Sequence, residues 1–304
     1  MAEIKPLTAL HYDLERAGPL QELLAPPYDV IDPDERERLA ARSPYNVVHV
    51  DLPVGDPDPY AEAAQTLARW RDEGAVVLDT TTAVWGLTQD FTDPTGERRT
   101  RSGVLCAVRV EDYGAGRIRP HERTHPGPKE DRLRLTRATR ANLSPIFALY
   151  DDPRGISWGE LAAHTTGPPF GEATGDDGTV NRLWRIEHEE ALDAVELALE
   201  GTELLIADGH HRYETARVYA DEVGGEGHTA GCSCAWSRSR TPAWPSTRPT
   251  VSCAASTPRA WPTPSAATST SRRSGAMRSC LAPPAPTAAS SWATWTATSS
   301  ARSA

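Results

Sequence analysis

The chain has 304 residues, of which 38% are hydrophobic and 24% are charged, and its formal net charge is −10. This composition is typical of a globular protein with one or two domains, and no apolar run approaches the roughly 18 residues that cross a membrane. The N-terminus lacks a basic start followed by an apolar core, so the sequence predicts a cytoplasmic protein with no membrane contact.

The charge is divided unevenly along the chain. Residues 1–230 carry −18, whereas 231–304 carry +8 from eight arginines. An acidic surface repels a phosphate backbone, which disfavours nucleic acid as a partner of the first 230 residues. A small anionic ligand is compatible with this charge, because it needs only a local basic pocket.

Strand-like and helix-like segments alternate up to about residue 230, which predicts a mixed α/β domain over 1–230. Asp32-Pro33 is a typical helix start, and Asp93-Pro94-Thr95-Gly96 predicts a hairpin turn. The predicted strands cover 47–52, 75–79, 83–91, 102–110, 145–152, 182–187 and 203–207. The predicted helices cover 33–42, 59–73, 129–140, 189–200 and 213–223.

The first candidate site is the predicted turn Asp208-Gly209-His210-His211-Arg212, between a strand and a helix. Glycine permits a tight turn, the helix start offers backbone amides, and Arg212 can bind phosphate or carboxylate oxygens with its fork of N–H donors. Asp208 is suited to binding a metal ion or accepting a hydroxyl proton, and His211 to acid or base chemistry. The alternative is a capping aspartate beside histidines on a polar surface.

The second candidate is the arginine-rich segment 120–150. Its predicted phosphate-binding residues are Lys129, Arg134, Arg137 and Arg140. Arg134 and Arg137 share one face of the predicted helix, whereas Arg132 points elsewhere. His121 and Glu122 precede a loop and offer a general base. The alternative is a solvated helix face whose charges pair with nearby acids.

The third candidate is the loop Ala25-Pro26-Pro27-Tyr28-Asp29, whose two prolines stiffen it enough to lie across a pocket. An ordinary turn is the alternative. The chain contains no GxxxxGK[ST], GxGxxG or CxxC motif, so P-loop, Rossmann and CxxC redox readings have no support.

Three segments together resemble an uncharacterised prokaryotic family, domain-of-unknown-function family 1015, over residues 1–230. They are PPYDVI, PHERTHPGPKEDRLRLTRATRANLSPIFALY and IADGHHRYETA. The family is similar, more remotely, to the ParB and sulfiredoxin superfamily, because GHHRYETA resembles the nucleotide-binding element of ParB. It also resembles the reactive turn of sulfiredoxin, with His210 in the place of the cysteine, so sulfiredoxin chemistry is not expected.

The resemblance implies a nucleotide, ATP, ADP or CTP, whose phosphate binds at Gly209, His210 and Arg212. It implies Mg²⁺ held by Asp208, with Asp208 or Glu122 as base and His211 on the phosphate. The function it favours is phosphotransfer to a small hydroxyl-bearing metabolite, as in free-serine kinases, with that substrate and the nucleotide as partners. The acidic charge and the lack of a basic DNA-reading helix favour this reading over a nucleotide-binding module related to ParB partition proteins. An inactive truncated product and a homodimer are left open.

Residues 231–304 have a different composition, since 52 of these 74 residues are Ser, Thr, Ala or Pro. Such a segment cannot form a core and is predicted to be disordered. This composition is typical of a GC-rich gene read out of frame, so a frameshift near residue 231 is one hypothesis and a true low-complexity tail is the other. The resemblance supports the first, because the family continues as a folded chain beyond this point.

Overall fold

The computed structural model describes residues 2–114, 118–121, 126–200 and 202–223, and the backbone of two further short strands. They belong to one compact unit. The helices are α1 Leu14–Ala17, α2 Leu20–Leu23, α3 Pro33–Arg42, α4 Val48–Asp51, α5 Pro59–Asp72, α6 Pro126–Thr139, α7 Ile156–Ala163, α8 Glu189–Leu199 and α9 His210–Val223, and a 3₁₀ turn covers Tyr28–Val30. The strands are β1 Ile4–Lys5, β2 Ala9–Tyr12, β3 Val76–Leu78, β4 Val84–Thr92, β5 Arg98–Val108, β6 Ile118–Pro120, β7 Ile146–Tyr150, β8 Gly171–Thr174, β9 Val180–Ile186, β10 Leu204–Asp208, β11 Cys232–Ser237 and β12 Ala297–Thr298.

The larger sheet has the strand order β6-β10-β7-β11-β5-β4-β9-β8, with β1 paired to the end of β5. Neighbouring strands in it are antiparallel except for the pairs β10–β6 and β11–β7. A smaller sheet has the order β12-β2-β3. The predicted mixed α/β class is confirmed, and so is the β4–β5 hairpin, whose register runs from Thr92 opposite Arg98 to Trp85 opposite Leu105.

Successive side chains of a strand point to opposite faces of the sheet. Both faces of the larger sheet are buried, because each carries a hydrophobic cluster. On one face, strand residues such as Val104 and Ile206 pack in a core with Leu161 of α7 and Val195 of α8. The other face carries a second cluster that includes Trp85 and Leu105, with Phe147 packed against it. Asp208 lies opposite Phe147 in the β10–β7 register, so the end of β10 places this carboxylate at the edge of the second face.

The prediction of a strand at 47–52 is wrong, because residues 48–51 form helix α4. The side chain of Asn46 decides the local structure: its oxygen accepts the N–H of Val48 at 3.0 Å, and its amide donates to the carbonyls of Glu22 and Leu24. This buried, fully engaged asparagine starts a helical turn and overrides the strand preference of the valines. The consequence is that Asp51 points into the protein interior.

The predicted five-residue turn at 208–212 is also wrong in its extent. Strand β10 includes Asp208 and helix α9 begins at His210, so Gly209 alone makes the turn. Its φ of +89° lies in the left-handed region, where glycine has no steric penalty. His210, His211 and Arg212 therefore form the first turn of a helix.

The predicted domain boundary at residue 230 lies just before β11, which is inserted between β5 and β7. Apart from β11 and β12, the predicted tail lies outside the described residues, and so does the proposed frameshift. Among the described residues, none of the helices is both long and apolar enough to cross a membrane.

Candidate functional site

The β10–α9 turn is built so that a guanidinium folds back over a glycine. A Cβ added to Gly209 would lie 3.0 Å from an η-nitrogen of Arg212 and 3.1 Å from its Cζ. The glycine is needed here for two reasons, the positive φ and the close approach of this side chain. The first turn of α9 thus brings a positive side chain to the positive end of the helix dipole.

Arg212 is held by two contacts. One η-nitrogen donates to the carbonyl of Pro145, and the other donates to Oδ2 of Asp208 at 2.6 Å. The Arg212 side chain is 14% exposed, whereas that of Asp208 is 52% exposed. The Arg212 Nε is buried and has no hydrogen-bond partner among the described residues, so part of its donor capacity is unused.

The two histidines of the turn have different environments. His210 is 2% exposed, and its Nε2 accepts the backbone N–H of His121 at 3.3 Å. The rings of His210 and His121 meet edge to face, with centroids 4.5 Å apart, and His121 Nδ1 contacts the carbonyl of Ile206 at 2.7 Å. His210 therefore links the end of β6 to the start of α9, while His211 is half-buried beside it.

Helices α6 and α9 lie side by side and run parallel. Lys129 donates to Glu214 at 2.8 Å, and eight residues further along both helices Arg137 donates to Glu222 at 2.9 Å. The pairs advance in the same direction, and eight helical residues span about 12 Å. Both positive helix ends therefore lie on the same side of the protein, where each favours a bound anion.

Arg132 of α6 is at the centre of a buried polar cluster. It donates to the carboxylate of Asp51 at 3.0 Å and to the Asp51 carbonyl at 2.8 Å, and both side chains are only 6% exposed. Its Cζ lies 4.2 Å from the centroid of the Tyr28 ring, and Nε donates to Asp131 at 2.8 Å. The loop containing Tyr28 thus covers α6 through a cation–π contact.

The charges of this cluster act on one another and on the β10–α9 turn. Burial raises the pKa of Tyr28, and the positive charges of Arg132 and Arg212 oppose that rise. Burial likewise raises the pKa of Asp51, again against Arg132 and Arg212. Burial lowers the pKa of Arg132, but the carboxylates of Asp51 and Asp131 outweigh it and the pKa is raised. The three sequence candidates therefore meet in one electrostatic neighbourhood, with Arg212 as the link.

Several predicted residues lie apart from this neighbourhood or already have partners. Lys129 is paired with Glu214, Arg137 is paired with Glu222, and the Cζ of Arg134 lies 4.4 Å from the centroid of the Tyr60 ring. Arg140 is exposed at the end of α6. Glu122 lies outside the described residues. In the described part of the chain, His, Cys, Asp and Glu side chains nowhere form a group of three that could hold a metal, so Asp208 is a single carboxylate there.

Sequence reasoning missed Asp51 and did not select Arg132 as a binding residue. The signal for Arg132 was present, because it lies three residues before the buried Leu135 and beside the buried Leu133 on the inner face of α6. An arginine on an apolar helix face needs a buried partner. Asp51 carried no such signal, because its segment was predicted to be a strand.

The fold and the site define a mixed α/β protein with a candidate anion site where a strand, a glycine and a helix meet. The model of the family described as protein of unknown function (DUF1015) matches residues 4–236, and the chain belongs to that family. The resemblance drawn from the three motifs is thereby confirmed at the level of this family. The search of curated proteins and the search of solved structures found no match.

Proposed function

We propose that this protein binds the phosphate groups of a nucleotide at the β10–α9 turn and transfers a phosphoryl group to a small hydroxyl-bearing metabolite such as serine. The observation that carries the proposal is the convergence of two parallel helix N-termini with Arg212, whose Nε has no partner among the described residues. Backbone N–H groups, helix dipoles and a guanidinium together favour a multiply charged oxyanion. The likeness of Gly209-His210-His211-Arg212 to the nucleotide-binding element of ParB adds support.

Phosphoryl transfer mainly requires the protein to position its reactants and to neutralise charge. In this proposal Arg212 neutralises the charge of the transferring phosphate. Its charge also acts on Tyr28 and Asp51, which both contact Arg132. The half-exposed Asp208 is suited to accept a proton from the acceptor hydroxyl. Asp208 also fits Mg²⁺, because that ion takes one or two carboxylates and keeps phosphate oxygens and waters as its other ligands; bound there, it would neutralise phosphate charge.

A second function, nucleotide binding without turnover, is favoured by one observation. The carboxylate of Asp208 accepts a charge-assisted hydrogen bond from Arg212 at 2.6 Å. If that bond persists when a nucleotide binds, Asp208 is held away from a hydroxyl proton. The protein would then sense a nucleotide, as a module related to partition proteins.

One experiment separates the two functions. The full chain is incubated with ATP, ADP or CTP, Mg²⁺ and a mixture of amino acids, and phosphomonoester products are followed by ³¹P NMR. We expect a product that depends on the acceptor and disappears in Arg212→Ala. Saturable binding of a nucleotide without product indicates the binding module, and the lack of any saturable response contradicts both functions.

Arg217→Ala is the matched control for that experiment. Arg217 lies on the same helix, and its guanidinium pairs with Asp112 and lies over the Tyr113 ring, with Cζ 5.4 Å from the centroid. Replacing it removes one positive charge from α9 without touching the β10–α9 turn. Equal loss of product in both variants would show a general charge effect and contradict the assigned role of Arg212.

A further inference from the structure

Two buried polar atoms near the β10–α9 turn have no hydrogen-bond partner in the described part of the chain. They are the hydroxyl of Ser144 and the Nε of Arg212. Ser144 is 8% exposed. A buried hydrogen-bonding group without a partner destabilises the folded protein, so two of them at one corner call for an explanation.

Pro145 links the two residues that carry these atoms. Ser144 is followed by Pro145, whose carbonyl accepts a hydrogen bond from an η-nitrogen of Arg212. Pro145 also borders a small, mainly apolar cavity on the second sheet face, which is lined by Leu87, Leu105 and Leu183 among others. The serine and the arginine therefore lie at one corner, where the α6–β7 connection passes the start of α9.

Another buried serine shows that the fold satisfies such hydroxyls elsewhere. The hydroxyl of Ser157 donates to Asp152 at 2.7 Å and lies 2.5 Å from the hydroxyl of Tyr150. Ser157 is completely buried, and its backbone N–H also donates to Asp152. Unpartnered buried atoms also occur elsewhere in the described residues, such as the Tyr113 hydroxyl, so this corner differs in combining an unpartnered hydroxyl with an unpartnered guanidinium nitrogen.

We propose that Ser144 and Arg212 form an oxyanion subsite in which the Ser144 hydroxyl and the Arg212 Nε donate to oxygens of one phosphate group. The inference rests on the proposed function and extends it by assigning Ser144 as a phosphate-positioning residue. An arginine N–H can only donate, so the group that satisfies it is an acceptor, and the positive charge selects an anion. Phosphate suits the corner better than carboxylate, because its additional oxygen can accept from the first turn of α9.

Asp208 provides the route by which a phosphate reaches these donors. Its carboxylate now accepts from Arg212, and it is half exposed, so it can swing away into solvent. A phosphate that replaces this carboxylate keeps Arg212 paired and brings its remaining oxygens to Nε. Rotation about the Cα–Cβ bond of Ser144 then turns its hydroxyl toward the same phosphate. The exchange frees Asp208 for the acceptor hydroxyl.

The test compares Ser144→Ala with Ser157→Ala in the full chain. Unfolding in denaturant measures stability, and titration with pyrophosphate, with acetate as the carboxylate probe, measures affinity. Loss of an unpaired hydroxyl leaves the stability of Ser144→Ala unchanged or higher, while the loss of a hydrogen bond to a charged phosphate weakens pyrophosphate binding about tenfold. Ser157→Ala shows the opposite pattern, lower stability and unchanged affinity. Ser144→Thr, which keeps the hydroxyl, restores binding.

Each other result contradicts a definite part of the account. Equal pyrophosphate affinity of the wild type and Ser144→Ala overturns the subsite and leaves the proposed function standing. A loss of stability in Ser144→Ala as large as that in Ser157→Ala shows that the hydroxyl has an internal partner and also overturns the subsite. Tighter binding of acetate than of pyrophosphate contradicts the choice of phosphate. A wild type that binds neither pyrophosphate nor any nucleotide overturns the proposed function and the subsite with it.

Discussion

Two turns of this protein are built on a glycine with positive φ, and they differ in how their polar groups are satisfied. In the β4–β5 turn, Gly96 has φ +86° and the side chain of Asp93 accepts from Thr95, Glu97 and Arg99. In the β10–α9 turn, Gly209 has φ +89°, and Arg212 Nε has no partner among the described residues.

The difference indicates what each turn is for. The Asp93 carboxylate accepts hydrogen bonds from the hydroxyl and backbone N–H of Thr95, from the backbone N–H of Glu97 and from Arg99. The polar groups of this turn are therefore hydrogen-bonded to one another. The β10–α9 turn has unused donors beside the positive ends of two helices. A protein interior normally pairs its buried polar groups, so donors without partners at a helix start point to a ligand. Three predictions test this contrast, beginning with the largest effect.

The largest loss of stability is expected from breaking the buried ion pair between Arg132 and Asp51. Asp51→Ala removes the only buried one of the two carboxylates that Arg132 contacts among the described residues, and breaking a buried ion pair costs about 3–5 kcal/mol. Asp131→Ala is the control, because Asp131 contacts the same guanidinium from a side chain that is 42% exposed, and loss of such an exposed pair costs about 1 kcal/mol or less. Urea unfolding of both variants measures the difference, and equal losses of stability would contradict the assignment of Arg132–Asp51 as the stronger of the two ion pairs.

The next effect compares the two glycines directly. Gly96→Ala and Gly209→Ala each force a left-handed conformation on alanine, at about 1–2 kcal/mol each. A Cβ at Gly96 meets no atom within 4 Å, whereas a Cβ at Gly209 displaces the guanidinium of Arg212. We therefore expect Gly209→Ala to lose at least as much stability as Gly96→Ala, because Arg212 is displaced from its partners, and only Gly209→Ala to lose nucleotide binding. Calorimetric titration measures nucleotide binding by both variants. Normal binding by Gly209→Ala would contradict the prediction that only the β10–α9 turn binds a ligand.

The smallest effect is the pH dependence of the stabilisation that Asp93 provides in the β4–β5 turn. The hydrogen bond from the Thr95 hydroxyl, together with the backbone N–H groups of Thr95 and Glu97 and with Arg99, lowers the pKa of Asp93 to about 2. The unfolded carboxyl takes up its proton near its ordinary pKa of 3.8, before the folded one does, so the stabilisation is present above pH 3.8 and is lost as the pH falls through 2.

Asp93→Asn keeps one acceptor oxygen but no charge. The wild type should therefore be slightly more stable than this variant at pH 6, and its advantage should shrink as the pH falls below 3.8. Thermal unfolding of the two proteins between pH 6 and pH 3 measures the difference. A difference that does not change over this range contradicts the assigned role of the ionised carboxylate.

The regular elements followed from the sequence where one signal dominated. The helix at 59–72 starts at a capping aspartate followed by proline, and its Ala63, Leu67 and Trp70 are buried as the spacing predicts. The error at 47–52 arose because alternation of valines with polar residues is typical of a strand, whereas the tertiary contacts of Asn46 select a helix.

The site was predictable only as separate pieces. Two motifs contained residues of the cluster, Tyr28 and Arg132, and the third contained Arg212, whose charge acts on it, but the sequence does not show that these three segments come together. Their meeting depends on the parallel packing of α6 and α9 and on the placement of Asp51 by α4. The spacing of Arg132 to Leu135 distinguishes it from Arg137 in the sequence, but only the packing shows that Asp51 is its buried partner.

Phosphate binding at the β10–α9 turn depends most directly on Arg212. Calorimetric titration of the full chain with ATP and ADP in the presence of Mg²⁺, in the wild type, Arg212→Ala and Arg217→Ala, measures this. We predict saturable binding in the wild type and in Arg217→Ala, and a loss of at least tenfold in affinity for Arg212→Ala, as expected when a charge-assisted hydrogen bond is removed. Undiminished binding by Arg212→Ala would contradict the assignment of the β10–α9 turn as the phosphate site.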